Sequence, residues 1–448
     1  MTVDLTRLSD RTPRGIAGAV SRAIRLGELA PGERLPTVRD VAAGLGVSPA
    51  TVSAAWQALR RTGLVDARGR AGTFVRAAPT PWLSPRVQRL VGDDATVADD
   101  VRLDLSRGMP DPDLLPDLGP ALGRVSARAG TLAYHDEPVL PGLRDVLADG
   151  WRHPVDAVTV VDGATDGIAR VLEQVVSYGD RVVLESPGFP PLFDLVEALG
   201  AEVVPVGLDG EGVRPDALRR ALEARPVAVV LQPRAHNPAG VSLSAERAEA
   251  LARVLGRRRD DVPWVVEDDH SGAICTAPEV SLAPWLPARV VQVRSYSKSH
   301  GPDLRLAALG GPSGLLDRIV ARRMLGPAWS SRMLQSILLD LLTTPESVAD
   351  VDGARDAYAA RQQALAGHLG LPTPDGINLW LPVRDERAAV LHLAAAGIRV
   401  ATGSAFVTAD DAAPAAPAGD HVRVTAGLVP VAEAAAVAAD LARAALVD

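Results

Sequence analysis

Lysine is almost absent from this chain: of 47 basic residues, 46 are arginine and one, Lys298, is lysine. Cysteine is equally scarce. Cys275 stands alone, which excludes an intramolecular disulfide and is compatible with a reducing cytosol. No uninterrupted apolar run reaches membrane-spanning length, and Met1–Asp10 lacks the apolar core with basic flank of a secretory signal. These absences lead us to expect a cytoplasmic protein without a membrane partner. The 448 residues predict two or three domains. Hydrophobic content of 47% with 23% charged residues is that of an ordinary globular protein.

The lone lysine has a chemical meaning. A guanidinium stays protonated at any relevant pH, whereas a lysine amine can lose its proton and attack an aldehyde. Lys298 follows two hydroxyl residues, Ser295 and Ser297, and precedes Arg305 by seven positions. That arrangement suits a phosphorylated aldehyde. A compositional bias against lysine is the bland alternative, and the position argues against it.

The net charge of −8 is unevenly spread. Residues 1–76 hold 12 arginines and 6 acidic residues, a net of +6; the remainder holds 35 basic and 49 acidic groups, a net of −14. A small basic segment on a large acidic body suggests a nucleic-acid module joined to something else, although a solvated basic surface would give the same balance.

Within the basic segment, Ile16, Val20 and Ile24 mark an amphipathic helix over 14–26. Pro31-Gly32 makes a turn, Pro36 opens a second helix at about 37–44, and Gly44-Leu45-Gly46-Val47 supplies a tight connection. Ser48 is a suitable N-cap for a third helix from Pro49 to about Thr62, with Val52, Trp56 and Leu59 on its core face. Leu64-Val65, a turn at Arg68-Gly69-Arg70, and Thr73-Phe74-Val75 suit a two-stranded wing. Residues 77–103 read as a linker with a short helical stretch at 85–91.

The body alternates β-rich runs with helical patterns from residue 158. The runs are Val158–Val161, Arg181–Glu185, Ala201–Val206, Val227–Gln232, Trp264–Glu267, Val290–Arg294 and Leu306–Gly310. They predict a mostly parallel seven-stranded sheet covered by helices, with ligands bound beyond the carboxyl ends of its strands. Four motifs fall at that edge, besides the lysine segment. They are Asp162-Gly163-Ala164-Thr165, Glu185-Ser186-Pro187-Gly188-Phe189-Pro190, His236-Asn237-Pro238-Ala239-Gly240 and Glu267-Asp268-Asp269-His270. Helix-start amides can hold a phosphate. Phe189 offers a ring for stacking, Asn237 can donate to a phenolate, and a carboxylate at 268 can keep a ring nitrogen protonated. Taken singly, each also reads as a turn, a core aromatic or solvated charge.

The blocks Gly32–Arg39, Val47–Val52 and Gly72–Val75 resemble the winged helix-turn-helix of GntR-family regulators. Together with the four edge motifs and Lys298, they make the chain resemble the MocR subgroup, in which that module is fused to a fold-type I aminotransferase-like domain. The resemblance implies an α/β protein: a DNA-binding domain at 1–76, the linker, and an aminotransferase-like domain at 104–448. That domain would carry a small α+β subdomain from about 330.

For DNA, the resemblance implies contacts by Arg39, Ser48, Thr51, Ser53, Arg70 and Thr73 on a double-stranded operator. For the body it implies pyridoxal 5'-phosphate, held as an aldimine by Lys298. Asp268 would pair with the ring nitrogen, Asn237 and His270 would lie at the ring oxygen, and Phe189 would stack on the ring. Ser295, Ser297, Arg305 and the amides of Ala164 and Thr165 would take the phosphate, with Tyr134 reaching a partner subunit's site in a homodimer. Arg423, in His421-Val422-Arg423-Val424, matches the arginine that clamps an α-carboxylate, and Gly108-Met109-Pro110 the segment near the substrate. No metal is implied.

Three positions depart from the pattern: Pro49 where many relatives have arginine, His270 for a tyrosine, and Val139 for a glycine. The reading favoured is a regulator sensing pyridoxal phosphate or an amino compound at Lys298. A working aminotransferase with an appended DNA-binding domain is the alternative, and a purely structural dimerisation scaffold is weaker.

Overall fold

The computed structural model describes residues 8, 10–25, 28–61, 64–67, 71–76, 83–91, 101–128, 133–134, 136–258, 261–408 and 419–447. Two compact units divide the chain: residues 1–84 with 177–180 and 194–202, and residues 85–176, 181–193 and 203–448.

The first unit is built on three helices, α1 (Pro13–Arg25), α2 (Val38–Leu45) and α3 (Pro49–Arg61). Thr37 starts α2 because its hydroxyl accepts from the Asp40 main-chain N–H, relieving one of the unpaired amides of a helix start. Gly46, at φ 66°, ends α2 in the left-handed conformation, and its N–H returns to the carbonyls of Ala42 and Ala43. Ile16, Val20, Leu45, Val52, Trp56 and Leu59 are buried together in the core between the helices. Each large apolar side chain buried this way stabilises the unit by roughly 1.5–3 kcal/mol. Strands β1 (Val65–Ala67) and β2 (Thr73–Val75) pair antiparallel, Val65 opposite Val75, and form the wing. Arg70, its turn and most of the expected linker lie outside the described residues.

The second unit opens with the short helix Pro85–Val91, at the bounds expected for it, then adds a short strand, β3 (Leu103–Asp104), and builds the main sheet. Its strands are β4 (Ala157–Val161), β5 (Arg181–Ser186), β6 (Glu202–Asp209), β7 (Gly212–Val213), β8 (Ala228–Leu231), β9 (Trp264–Asp269), β10 (Val290–Ser295) and β11 (Ala307–Gly311). Their order is β4-β11-β10-β9-β8-β5-β6-β7. Strands β10, β9, β8 and β5 run parallel, while β11 lies antiparallel to both β10 and β4.

The sheet therefore has eight strands rather than the expected seven. The addition, β7, is a two-residue edge strand that folds back antiparallel on β6, Asp209 opposite Gly212. Two residues are too few to show an alternation. All four residues of β8 are buried, as expected for a parallel strand covered on both faces.

Beyond the sheet, strands β12 (Leu379–Val383), β13 (Ile398–Arg399), β14 (Ala401–Thr402) and β15 (Asp420–Val424) follow. A small antiparallel sheet has the order β12-β15-β14, and β13 pairs parallel with β3. Helices Pro345–Leu369, Glu386–Ala395 and Ala434–Ala445 complete this α+β part, whose core includes Leu365, Leu381, Leu393, Val422 and Leu441. Among the described residues, no helix is long and apolar enough to cross a membrane.

Candidate cofactor site and nucleic-acid interface

The parallel register brings the chemically distinctive residues to one edge. Asp268 lies opposite Val293 near the end of β9, and β10 ends at Ser295 before the turn that carries Lys298. Gln232 and then Asn237 follow β8, while Gly163 follows β4.

Lys298 donates through Nζ to the Gly108 carbonyl at 2.9 Å. Burial first, then the positive charge of Arg423, against the opposing charge of Asp268, bring its ammonium down to about 8. An amine so placed is far more available as a nucleophile at neutral pH than an exposed lysine.

Asp268 is 2% exposed. Its Oδ2 accepts from Gln232 Nε2 at 2.8 Å, but its Oδ1 is buried with no hydrogen-bond partner. Burial raises this carboxyl to about 6. A bare buried carboxylate oxygen costs about 1–3 kcal/mol, which a donor from a bound ligand would offset.

Arg423, on β15, is 3% exposed. It donates to the Ser106 carbonyl and, at 3.4 Å, to Asn237 Oδ1, and its guanidinium lies 5.1 Å from the centre of the Phe406 ring. Its Nε has no partner, and burial lowers its guanidinium to about 10. Gly108, at φ 62°, packs so closely that a Cβ there would sit 2.9 Å from Arg423 Nη1. One backbone segment, Ser106–Gly108, thus contacts both Arg423 and Lys298.

Of the phosphate candidates, Arg305 lies at the start of the helix Ala164–Val175, which has no side-chain cap. Arg305 donates to the Asp162 carbonyl at 3.2 Å, and a Cβ on Gly163 would meet Arg305 Nη2 at 2.7 Å. Only glycine, here at φ 103°, leaves the guanidinium over this turn. Ser295 Oγ accepts from the Ser297 main-chain N–H at 3.3 Å.

His270, expected at a ring oxygen, makes two contacts within the protein. Its Nε2 lies 2.9 Å from the Ala235 carbonyl and its Nδ1 3.1 Å from Ser271 Oγ, so both ring nitrogens are engaged by the protein. Burial holds this imidazole neutral, well below the usual range at about 3. Phe189 is half-buried just after β5. Tyr134 stands apart: it is 78% exposed, with its ring 6.0 Å from that of Trp329.

Sequence reasoning missed Gln232, Glu185 and Ser106. Gln232 joins Asp268 to Asn237, and Glu185 Oε2 accepts the Gln232 main-chain N–H at 2.7 Å. Ser106 acts through its carbonyl, which no side-chain motif announces.

In the first unit, Arg39 and Ser48 are exposed, and Thr51, Ser53 and Thr73 are partly exposed. Ser48 Oγ accepts from the Thr51 main-chain N–H at 3.1 Å and lies 2.9 Å from Thr51 Oγ1. Both hydroxyls are therefore used in starting α3.

Residues 101–437 match the family aminotransferase class I and II, and residues 12–75 match bacterial regulatory proteins, gntR family. The chain is 37% identical over 414 residues to the vitamin B6 salvage pathway transcriptional repressor PtsJ of Salmonella typhimurium, covering 89% of this chain and 92% of that protein. It is 26% identical over 404 residues to the probable rhizopine catabolism regulatory protein MocR of Rhizobium meliloti, covering 83% and 79%. Among solved structures, kynurenine aminotransferase of Pyrococcus horikoshii superposes with a TM-score of 0.68 at 19% identity, over 81% of this chain and 94% of that one, a likeness of fold. The chain belongs to the MocR type of GntR regulators, a winged helix-turn-helix joined to an aminotransferase class I and II domain. Pyridoxal phosphate is the cofactor of that domain family, and the bare Asp268 Oδ1 and the Gly163–Arg305 cradle fit it.

Proposed function

We propose that this protein is a DNA-binding transcriptional regulator that responds to pyridoxal phosphate, or to an amino compound meeting it, in the second unit. The observation that carries the reading is one sheet edge holding the sole lysine, its ammonium pushed down to about 8, and a buried carboxylate oxygen without a partner. When bound, pyridoxal phosphate supplies an aldehyde that condenses with amines and a ring that withdraws electrons. Lys298 would hold it covalently, and Asp268 would keep a proton on its ring nitrogen. Asn237 would face its ring oxygen, Phe189 would stack on it, and Arg305, Ser295, Ser297 and the Ala164 and Thr165 amides would take its phosphate. Arg423 would receive an effector's carboxylate, displacing the Ser106 carbonyl from its guanidinium.

In the first unit, Arg39 and the start of α3 would meet the operator; exposed arginine on a basic module supports contact with phosphates and guanines. Tyr134, exposed in this chain, would complete a second subunit's site in a homodimer. A ligand can shift DNA binding only through different affinities for two conformations, and Ser106–Gly108, touching both Lys298 and Arg423, is placed to differ between them. The engagement of both His270 nitrogens by the protein favours sensing over efficient turnover.

The test mixes the cofactor-loaded protein with amino donors and a keto acid, following absorbance and binding to its own upstream DNA. A spectral shift without turnover, accompanied by altered DNA binding, is the expected result. Multiple turnovers with unchanged DNA binding would replace the sensor with an enzyme. In Lys298→Ala the aldimine absorbance band should disappear, and no borohydride-fixed adduct should form on the chain.

A further inference from the structure

We propose that Gln232 is a positioning residue whose amide binds Asp268 and the Asn237 backbone into one unit and leaves Asp268 a single bare oxygen for the cofactor's ring nitrogen. The inference rests on the reading that this site binds pyridoxal phosphate.

Gln232 follows β8 and is 4% exposed. Its Oε1 accepts from the Asn237 main-chain N–H at 2.9 Å, and its Nε2 donates to Asp268 Oδ2 at 2.8 Å. Oxygen and nitrogen of a glutamine are interchangeable in shape, yet here only one orientation works. A main-chain N–H can only donate, so Oε1 must face Asn237 and Nε2 must face the carboxylate.

Two consequences follow from the chemistry of this link. Holding Oδ2 fixes the rotation of the carboxylate and therefore the direction of Oδ1, the atom with no partner. The amide also adds no charge. A lysine or arginine in its place would form an ion pair with Asp268 and compete with a ring N–H for its negative charge. The backbone of Gln232 is anchored in turn, because its N–H donates to the buried Glu185 carboxyl at 2.7 Å. Burial pushes the Glu185 carboxyl well above the usual carboxylate range.

The experiment compares two ligands, pyridoxal phosphate and its 1-deaza analogue, in which a C–H replaces the ring nitrogen. Equilibrium dialysis gives the affinity of each for the full-length wild-type chain and for Gln232→Leu. Removing a donor to a charged acceptor should weaken pyridoxal phosphate roughly tenfold, while the deaza analogue, which cannot engage Asp268 this way, should change by less than about twofold. Gln232→Met, which fills similar volume with a flexible apolar chain, should repeat the pattern. Equal loss for both ligands would reduce Gln232 to a packing role, and no loss for either would show that Asp268 is held without it; either result overturns the proposal. A wild-type chain that binds neither ligand would instead refute the cofactor reading beneath it.

Discussion

The residues proposed to meet DNA and those proposed to meet the cofactor are kept in different conditions by the two units. In the first, the hydroxyls beside the helix starts are satisfied locally, Ser48 with Thr51 and Thr37 with Asp40, while Arg39 stands exposed. In the second, Asp268 Oδ1 and Arg423 Nε are buried without hydrogen-bond partners. The difference matches what each unit would bind. A nucleic acid is met by hydrated charge at a surface, where binding releases counterions and falls with salt. A small molecule is met by a few desolvated groups whose missing partners it supplies.

The largest effect that would test this contrast is at Asp268. Asp268→Ala should weaken pyridoxal phosphate roughly 100-fold by equilibrium dialysis, since it removes a charged hydrogen bond from a buried place. DNA binding without cofactor should stay within about twofold of wild type. Equal losses in both assays would mean that the two units do not divide the work as proposed.

A second test uses pH. Lys298 must lose a proton to attack an aldehyde, and burial brings its ammonium from the ordinary 10.5 down to about 8. Because the depressed group deprotonates early, the rate of covalent capture should rise about tenfold per pH unit below about 8 and level off above it. Stopped-flow absorbance measures this directly; a rise that continued unchanged toward pH 10 would contradict the burial argument. The salt dependence of the same rate should be shallow compared with that of DNA binding.

The smallest effect is expected at the exposed side. Arg39→Ala should lower DNA affinity by roughly tenfold at most and reduce the log–log salt slope by about one, the signature of one lost phosphate contact. Cofactor affinity should not move. A loss confined to one base position, with the salt slope intact, would make Arg39 a base reader instead.

The architecture was largely legible in the sequence because its periods are long enough to see. The seven β-rich runs correspond to β4, β5, β6, β8, β9, β10 and β11 with ends shifted by a few residues, and the three N-terminal helices lie within two residues of their expected bounds. Strand β7 was invisible, since two residues have no period. The candidate edge was legible where a residue type carries chemistry of its own, as with Lys298 and Asp268, which the fold brings to the same end of the sheet. It was not legible where the role comes from a long-range contact. Gln232 is an ordinary polar residue until the sheet sets it against Asp268, 36 positions away. Ser106 contributes only a carbonyl, which every residue possesses, to an arginine 317 positions away. For His270, the motif position did not show that Ala235 and Ser271 lie within hydrogen-bond distance of its two nitrogens.

The unpartnered oxygen of Asp268 reaches beyond recognition into the lifetime of the folded chain. A ligand that donates to it binds the native state and not the unfolded one, so the melting temperature climbs with the logarithm of free ligand above its dissociation constant. At one hundred times that constant the gain is about 2.7 kcal/mol, enough to change how often the chain opens to proteases. The same atom that would orient the ring would then also set how long an unliganded copy survives.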